Sequence, residues 1–76
     1  MKQCYCYRID FGYMNVVGEV YKRYQYVSAE NVMCACIKAF EDLEEKQKRL
    51  AWRGFMVYKI ELREDMQCYA MPDESR

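Results

Sequence analysis

The sequence predicts an α+β fold in which one long helix packs on one face of an antiparallel sheet, in the order β-β-α-β. Three observations lead to this prediction: two strand-like stretches precede residue 28, one helical stretch follows it, and strand-like alternation returns after Gly54. With 76 residues, the chain is expected to form a single domain, residues 1–76. A chain of this length buries only about 60% of its unfolded surface, so its core is thin.

Two strands are predicted before the helix, over residues 4–11 and 16–27. In the first, aromatic and aliphatic side chains alternate with small or charged ones, which is typical of a half-buried strand. The second is rich in β-branched and aromatic residues. Gly12 and Asn15 both tolerate positive φ, so the hairpin turn is expected between them, and Gly18 is a candidate for a bulge.

The helix is predicted over residues 28–52. Ser28 can accept a hydrogen bond from an N–H of the first turn, as an N-cap does, and Gly54 can take the left-handed conformation that ends a helix. Towards its end, acidic residues precede basic residues by four positions, which favours a helix. Apolar residues at spacings of three and four predict the buried stripe: Ala29, Val32, Met33, Cys36, Ala39, Phe40 and Leu43.

Alternation resumes in a third strand, predicted over residues 55–63. After a charged turn, a short fourth strand over residues 66–71 is left open, so the predicted sheet has three or four strands. Pro72 ends that stretch, because proline cannot donate to a strand ladder. Residues 72–76 are expected to form a loose tail.

Alternation also assigns the side chains of the strands to two faces of the sheet. The face expected to meet the helix carries Tyr7, Ile9, Phe11, Val20, Tyr24, Tyr58, Ile60 and Leu62. The opposite face is expected to carry Cys4, Cys6, Arg8, Asp10, Glu19, Tyr21, Arg23, Lys59, Glu61 and Arg63. This assignment puts tyrosine, arginine and lysine on an exposed and rigid surface.

Charge and hydropathy narrow the classes of partner. The 12 basic and 12 acidic residues balance to a formal net charge of zero, which lacks the broad positive footprint of a nucleic-acid-binding protein. No apolar run approaches the roughly 20 residues that span a bilayer, and no signal-peptide pattern precedes the first strand. We therefore expect a cytoplasmic chain without membrane contact.

The five cysteines raise the question of a metal site. Thiolates are good zinc ligands, and Cys4 with Cys6, Cys34 with Cys36, and Cys68 could supply four of them. Residues two apart in a helix point about 200° apart around its axis, so Cys34 and Cys36 do not converge easily on one ion. We expect no metal and no cofactor, and the sequence leaves open whether all five cysteines are free thiols.

Catalytic residues are not apparent. The chain contains no histidine, which removes the commonest general base and every Ser/His or Cys/His arrangement. The neighbouring acids at Glu44–Glu45 and Glu64–Asp65 lie in charged stretches that are typical of solvated surface. The sequence therefore predicts that the chain is not an enzyme.

The eight tyrosines favour a binding role. Aromatic side chains on an open sheet can stack on bases, but the predicted open face mixes acids with bases, so direct nucleic-acid binding is disfavoured. Tyrosine, tryptophan and arginine are also the residues that dominate protein interfaces. The predicted partner-binding residues, on the open face and at the helix end, are Tyr21, Arg23, Trp52, Arg53, Lys59 and Arg63.

A resemblance to known proteins follows from the order of these elements. A hairpin, the stretch YVSAENVMCACIKAF, a glycine and the strand FMVYKIEL resemble small phage-encoded ββαβ proteins, among them inhibitors of host RNA polymerase and anti-CRISPR proteins. The likeness covers residues 16–63. It implies a compact protein that binds and blocks a larger host machine and that, if phage-encoded, is located in the bacterial host cytoplasm. Those proteins are often acidic, whereas this chain is neutral.

Three functions are weighed on these grounds. The first is a non-enzymatic protein-binding inhibitor or modulator, encoded by a phage or mobile element, that blocks a host protein or nucleoprotein complex such as a CRISPR effector or RNA polymerase. The second is a self-associating structural or interaction module, such as a homodimer. The third is a module that binds single-stranded nucleic acid through its tyrosines.

Overall fold

The computed structural model describes residues 4–64 and confirms the α+β prediction. Strand β1 (Tyr5–Met14) is followed by β2 (Val20–Ala29), helix α1 (Val32–Leu50) and β3 (Gly54–Leu62). In the sheet of the described residues, β1 lies in the middle, in the order β2-β1-β3, and pairs antiparallel with both neighbours. The helix packs on one face of this sheet, as the sequence predicts.

Two predictions lie outside the described residues. These are the short fourth strand over residues 66–71 and the loose tail over 72–76. Cys68, the fifth cysteine, lies outside them as well.

The hairpin turn lies later in the chain than predicted. β1 continues through Gly12 to Met14, and residues 15–19 form the turn. The Asn15 side-chain oxygen accepts hydrogen bonds from the backbone N–H of Val17 (3.1 Å) and of Glu19 (2.9 Å). Gly18 then takes φ of 90° and donates its N–H to the Asn15 carbonyl. Asparagine at the first turn position and glycine at the fourth therefore set the reversal, and Gly12 remains in the strand.

The helix begins later than predicted. Ser28 is still part of β2, where it pairs with Cys6. Asn31 is the N-cap, and its side-chain oxygen accepts the Cys34 N–H at 2.9 Å. The strand continues to Ala29 because its pairing with β1 satisfies backbone groups up to that point.

This difference gives a matched pair of variants. Asn31→Ala is expected to lower the free energy of unfolding by about 1 kcal/mol, because the cap hydrogen bond is lost. Ser28→Ala, the control, is expected to change it by less than about 0.5 kcal/mol, since Ser28 caps nothing. Urea unfolding followed by circular dichroism measures both. If Ser28→Ala lost more stability than Asn31→Ala, the helix would instead begin at Ser28, as the sequence predicts.

The helix also ends before the predicted glycine. Ala51 takes the left-handed conformation, with φ of 58°, and its N–H donates to the Gln47 carbonyl. Lys48 and Arg49 lie in the last turn, where basic side chains suit the negative end of the helix dipole. Gly54, predicted as the left-handed residue, instead begins β3.

The two faces of β2 are the reverse of the prediction. β1 places Tyr7, Ile9 and Phe11 in the interior, and their partners on β2 are Val27, Gln25 and Arg23. Directly paired residues share a face. A hydrogen bond of 3.1 Å from Lys46 on the helix to Gln25 agrees with this assignment. The helix side of β2 therefore carries Tyr21, Arg23, Gln25 and Val27, and the opposite side carries Val20, Lys22, Tyr24 and Tyr26.

A bulge changes the faces of β3. Asp10 pairs with Lys59, but the next residue, Phe11, pairs with Val57, so Tyr58 is the extra residue. Before the bulge, Val57 shares the helix side and Tyr58 turns to the opposite side, against the prediction. Beyond it, Ile60 faces the helix, as predicted, and packs on the core.

The core is small and built around alanines. Ile9, Ala35, Ala39 and Leu43 are fully buried, and three of these follow one another at four-residue spacing on the helix. The small alanine side chain lets the helix approach the sheet closely, so the side of the helix that carries these residues faces the sheet. Ala39 and Leu43 belong to the predicted stripe. Other predicted members point outward instead and are exposed: Val32 by 55%, Met33 by 71% and Phe40 by 41%.

Candidate protein-binding surface

The open face is the side of the sheet that the helix does not cover. Alternate residues of the strands and the extra residue of the bulge form it: Arg8, Asp10, Gly12, Met14, Val20, Lys22, Tyr24, Tyr26, Met56, Tyr58, Lys59 and Glu61. Every large apolar side chain among them is exposed to solvent. Half of the residues of the open face are therefore exposed apolar or aromatic side chains, carried by the three strands of the described sheet.

The end of the open face nearest the hairpin turn is apolar. Met14, Val20, Met56 and Tyr58 lie there, and Met56 and Val20 are 59% and 58% exposed. They surround a shallow depression of about 330 Å³. All three strands contribute to it, so its shape depends on the register of the whole sheet.

Gly12 forms part of the floor of this depression. A Cβ atom at this position would lie 2.7 Å from the Tyr58 hydroxyl oxygen and 2.9 Å from a ring carbon. The ring of Tyr58 therefore lies directly over the Gly12 backbone. Both the missing side chain and the bulge that turns Tyr58 to this side are needed for that contact.

Charged groups in the other half of the open face are matched. Arg8 donates to Asp10 at 3.0 Å, and its guanidinium lies 4.2 Å from the centroid of the Tyr24 ring. The hydrogen bond to Asp10 raises the pKa of Arg8 above its ordinary value. Tyr24 meets Tyr26 edge to face at 5.7 Å. This half presents aromatic rings and neutralised ion pairs rather than a field of one sign.

Two cations lie at the apolar end. The Lys22 ammonium is 5.4 Å from the centroid of the Tyr58 ring. Arg53 also lines the depression; its Nε donates to the Val16 carbonyl at 3.1 Å, which fixes the side chain to the turn. Among the described residues that line the depression, none is acidic. The apolar end therefore carries positive charge at its rim.

An aromatic cluster lies on the opposite side of the sheet, past the end of the helix. Trp52 stacks on Tyr13 with 4.1 Å between ring centroids and also covers Phe11 at 6.3 Å. Tyr21 meets Tyr13 at 5.5 Å and donates its hydroxyl to Glu19 at 3.1 Å. These rings extend the core beyond the last turn of the helix.

The turn anchors one edge of that cluster. The Asn15 amide and the Tyr21 hydroxyl both donate to the Glu19 carboxylate, and these bonds lower the pKa of Glu19. The same bond to Glu19 raises the pKa of Tyr21. The hydroxyl of Tyr21 is therefore engaged in a local network.

The structure separates the six predicted partner-binding residues. Of the predicted residues that lie within strands, Lys59 alone is on the open face as predicted, where it is 3.8 Å from Glu61. Tyr21 and Arg23 lie on the opposite side of the sheet, with the Arg23 guanidinium 5.4 Å from the Tyr21 ring centroid. Trp52 belongs to the aromatic cluster.

The other two predicted residues lie at the ends of β3. Arg53 precedes β3 at the rim of the depression, and Arg63 follows β3 and donates its backbone N–H to the Cys6 carbonyl at 2.9 Å. Half of the residues that form the open face are apolar residues and tyrosines that the sequence did not predict as partner-binding: Met14, Val20, Tyr24, Tyr26, Met56 and Tyr58. The spacing Asn15-Val-Val-Gly18 is the signal that could have located the turn and hence the faces of β2.

The outer side of the helix carries a second apolar surface. Met33 and Ile37 are 71% and 54% exposed. Beside them, Phe40 approaches Phe55 of β3 with 5.9 Å between ring centroids. This surface is separate from the open face, because the sheet lies between them.

The cysteines are spread over the structure. Cys4 is exposed, Cys6 is buried, and Cys34 and Cys36 are half-buried on the helix. Within residues 4–64, no three histidine, cysteine, aspartate or glutamate side chains lie close enough together to hold a metal ion. The one helix of that region is too polar to cross a membrane.

Comparison of the chain with protein-family models, with curated proteins and with solved structures gave no match. The resemblance to phage-encoded proteins remains a prediction from the sequence.

Proposed function

We propose that this chain is a non-enzymatic binding protein that engages another protein through the open face. The observation that carries the proposal is the set of exposed apolar and tyrosine side chains that lie side by side on this face. Contiguous exposed apolar surface is typical of interaction sites, and tyrosine and methionine are enriched at protein interfaces. The pairing of the described strands fixes the backbone positions from which these side chains project.

Charge favours a protein partner over nucleic acid. Phosphate binding depends on lysine and arginine without opposing charge, whereas Asp10 and Glu61 lie among the cations of the open face. Arg8 also covers one side of the Tyr24 ring, which leaves less of that ring for a base to stack on. Matched ion pairs beside apolar residues suit the mixed surface of another protein.

The finer proposal is that the partner is a larger host protein or nucleoprotein complex, such as a CRISPR effector or RNA polymerase, and that binding inhibits or modulates it. This step rests on the sequence resemblance to small phage-encoded ββαβ proteins. The small size of the domain and the absence of histidine agree with action by occupying a surface rather than by catalysis.

Self-association is the second candidate, and the apolar outer side of the helix favours it. Strand-to-strand pairing along β2 is less favourable. The carbonyls of Lys22 and Ser28 accept hydrogen bonds from the side chains of Arg23 and Lys38. These carbonyls are therefore less available to pair with a strand of a second molecule. A dimer is expected to use Met33 and Ile37 on the helix rather than the β2 edge.

Substitutions of two exposed methionines distinguish binding through the open face from self-association through the helix. Met56→Lys places a charge on the open face, and Met33→Lys places one on the helix; the two side chains are 59% and 71% exposed, so both variants should fold. Tagged wild-type protein and both variants are used to recover partners from host lysate, with and without nuclease. We expect a protein partner that survives nuclease, is retained by Met33→Lys, and is reduced at least tenfold by Met56→Lys.

Other outcomes contradict this proposal. Partners that disappear with nuclease would indicate nucleic-acid binding. Recovery of the tagged protein alone, together with a dimer on size exclusion that Met33→Lys dissociates, would establish the self-associating module. Loss of the partner only in Met33→Lys would move the binding surface to the helix.

A further inference from the structure

We infer that the depression at the apolar end of the open face binds a partner segment in which a large apolar side chain is flanked by acidic residues. This inference rests on the proposed protein-binding function and specifies the chemistry of the partner. Three observations support it: the size of the depression, its apolar lining, and the positive charge at its rim.

Size limits the occupant to one or two side chains. The depression measures about 330 Å³, the lower end of the roughly 300–1,000 Å³ typical of ligand pockets. It is also shallow and open, since exposed residues such as Val20 and Met56 form its sides. A leucine, methionine or phenylalanine side chain from a partner fits this description better than an enclosed small molecule does.

The lining is apolar and adaptable. Met14 and Met56 are diagonal neighbours on adjacent strands, because β1 pairs Met14 with Gly54 and Gly12 with Met56. Neither glycine adds a side chain to the space between the methionines. Unbranched methionine side chains can adjust to different apolar shapes. The Tyr58 ring over Gly12 supplies one wall.

The positive charge at the rim favours acidic residues beside the apolar side chain of the partner segment. Lys22 and Arg53 lie at the rim, and no described lining residue is acidic. Two acids of the same hairpin are already engaged: Asp10 accepts from Arg8, and Glu19 accepts from Asn15 and Tyr21. A carboxylate of the partner would therefore be attracted by Lys22 and Arg53 beside the apolar contact, whereas a basic residue would be repelled by them.

The test uses dye-labelled ten-residue peptides and the full chain. The first peptide has a central phenylalanine flanked by two aspartates and two glutamates; the second replaces the phenylalanine with serine; the third replaces the four acids with lysine. We expect the first to bind, and the second and third to bind at least tenfold more weakly, by fluorescence anisotropy. Lys22→Gln is expected to weaken binding of the first peptide about fivefold, and Lys22→Arg to restore it.

Methionine methyl resonances locate the binding. The first peptide is expected to shift the signals of Met14 and Met56 and to leave that of Met33, on the helix, unchanged. Lys48→Gln, a charge change on the exposed side of the helix, is the matched control and should not alter affinity. Equal binding of the serine or lysine peptide, shifts confined to Met33, or an equal effect of Lys48→Gln would overturn the inference.

Failure of this inference and failure of the proposed function are distinguishable. If Met56→Lys removes a captured protein partner but no acidic peptide binds, the open face is the interface and the partner chemistry assigned here is wrong. If the acidic peptide shifts Met56 but Met56→Lys retains every captured partner, the depression binds such segments and the proposed use of the open face is wrong.

Discussion

Replacing Leu43 with alanine is expected to lower the free energy of unfolding by about 3 kcal/mol. Leu43 is one of the two largest fully buried side chains in the described part of the chain, the other being Ile9. It extends the Ala35–Ala39 stripe, so no other large side chain of that stripe can fill the space that it leaves. A loss of this size is a large share of the roughly 4–11 kcal/mol expected for a domain of this length.

Leu50→Ala is the matched control for this prediction. The residue change and the helix are the same, but Leu50 is 47% exposed, so its loss should cost less than about 1 kcal/mol. Urea unfolding monitored by circular dichroism gives both values. Thermal unfolding should show a decrease of roughly 15 °C in Tm for Leu43→Ala. Equal losses in the two variants would mean that the alanine stripe does not define the buried side.

The sequence predicted the elements better than it predicted their faces. The order β-β-α-β, the helix and the burial of Ala39 and Leu43 follow from periodicity alone, because 3.6-residue and two-residue repeats differ clearly over ten residues. The face of a strand is a finer property. A one-residue change of register moves every side chain to the other face, and the turn position sets that register.

The two errors in face assignment have separate causes. For β2, the turn was expected between Gly12 and Asn15, whereas the Asn15 side chain starts the reversal at 15–19. For β3, the extra residue Tyr58 is a property of strand pairing and leaves no pattern in the sequence. Both errors move residues onto or off the open face, which explains why only Lys59 of the strand residues predicted to bind a partner lies there.

Replacing Trp52 with alanine is expected to lower the free energy of unfolding by about 2 kcal/mol. The indole stacks on Tyr13 and covers Phe11, which is only 5% exposed. Removing it exposes both rings to water and breaks the contact between the helix end and β1. The expected loss is smaller than for a fully buried tryptophan, because Trp52 is itself half-buried.

Tyr24→Ala is the control for this second prediction. Tyr24 also contacts another ring, but it is 55% exposed on the open face, so its removal should cost less than about 1 kcal/mol. The two variants should therefore affect different properties, partner binding in one and stability in the other. Tyr24→Ala is expected to weaken partner binding at nearly full stability, whereas Trp52→Ala is expected to lower stability and leave the open face intact.

Trp52→Phe separates a structural role from an interface role at this position. Phenylalanine retains an aromatic surface against Tyr13, so it should recover at least half of the stability lost in Trp52→Ala. As the chain has a single tryptophan, the fluorescence of the wild type reports this cluster directly. Its emission should shift to longer wavelength on unfolding and remain unchanged when a partner occupies the open face. An emission shift on partner binding, with normal stability of Trp52→Ala, would instead make Trp52 a partner-binding residue, as the sequence predicted.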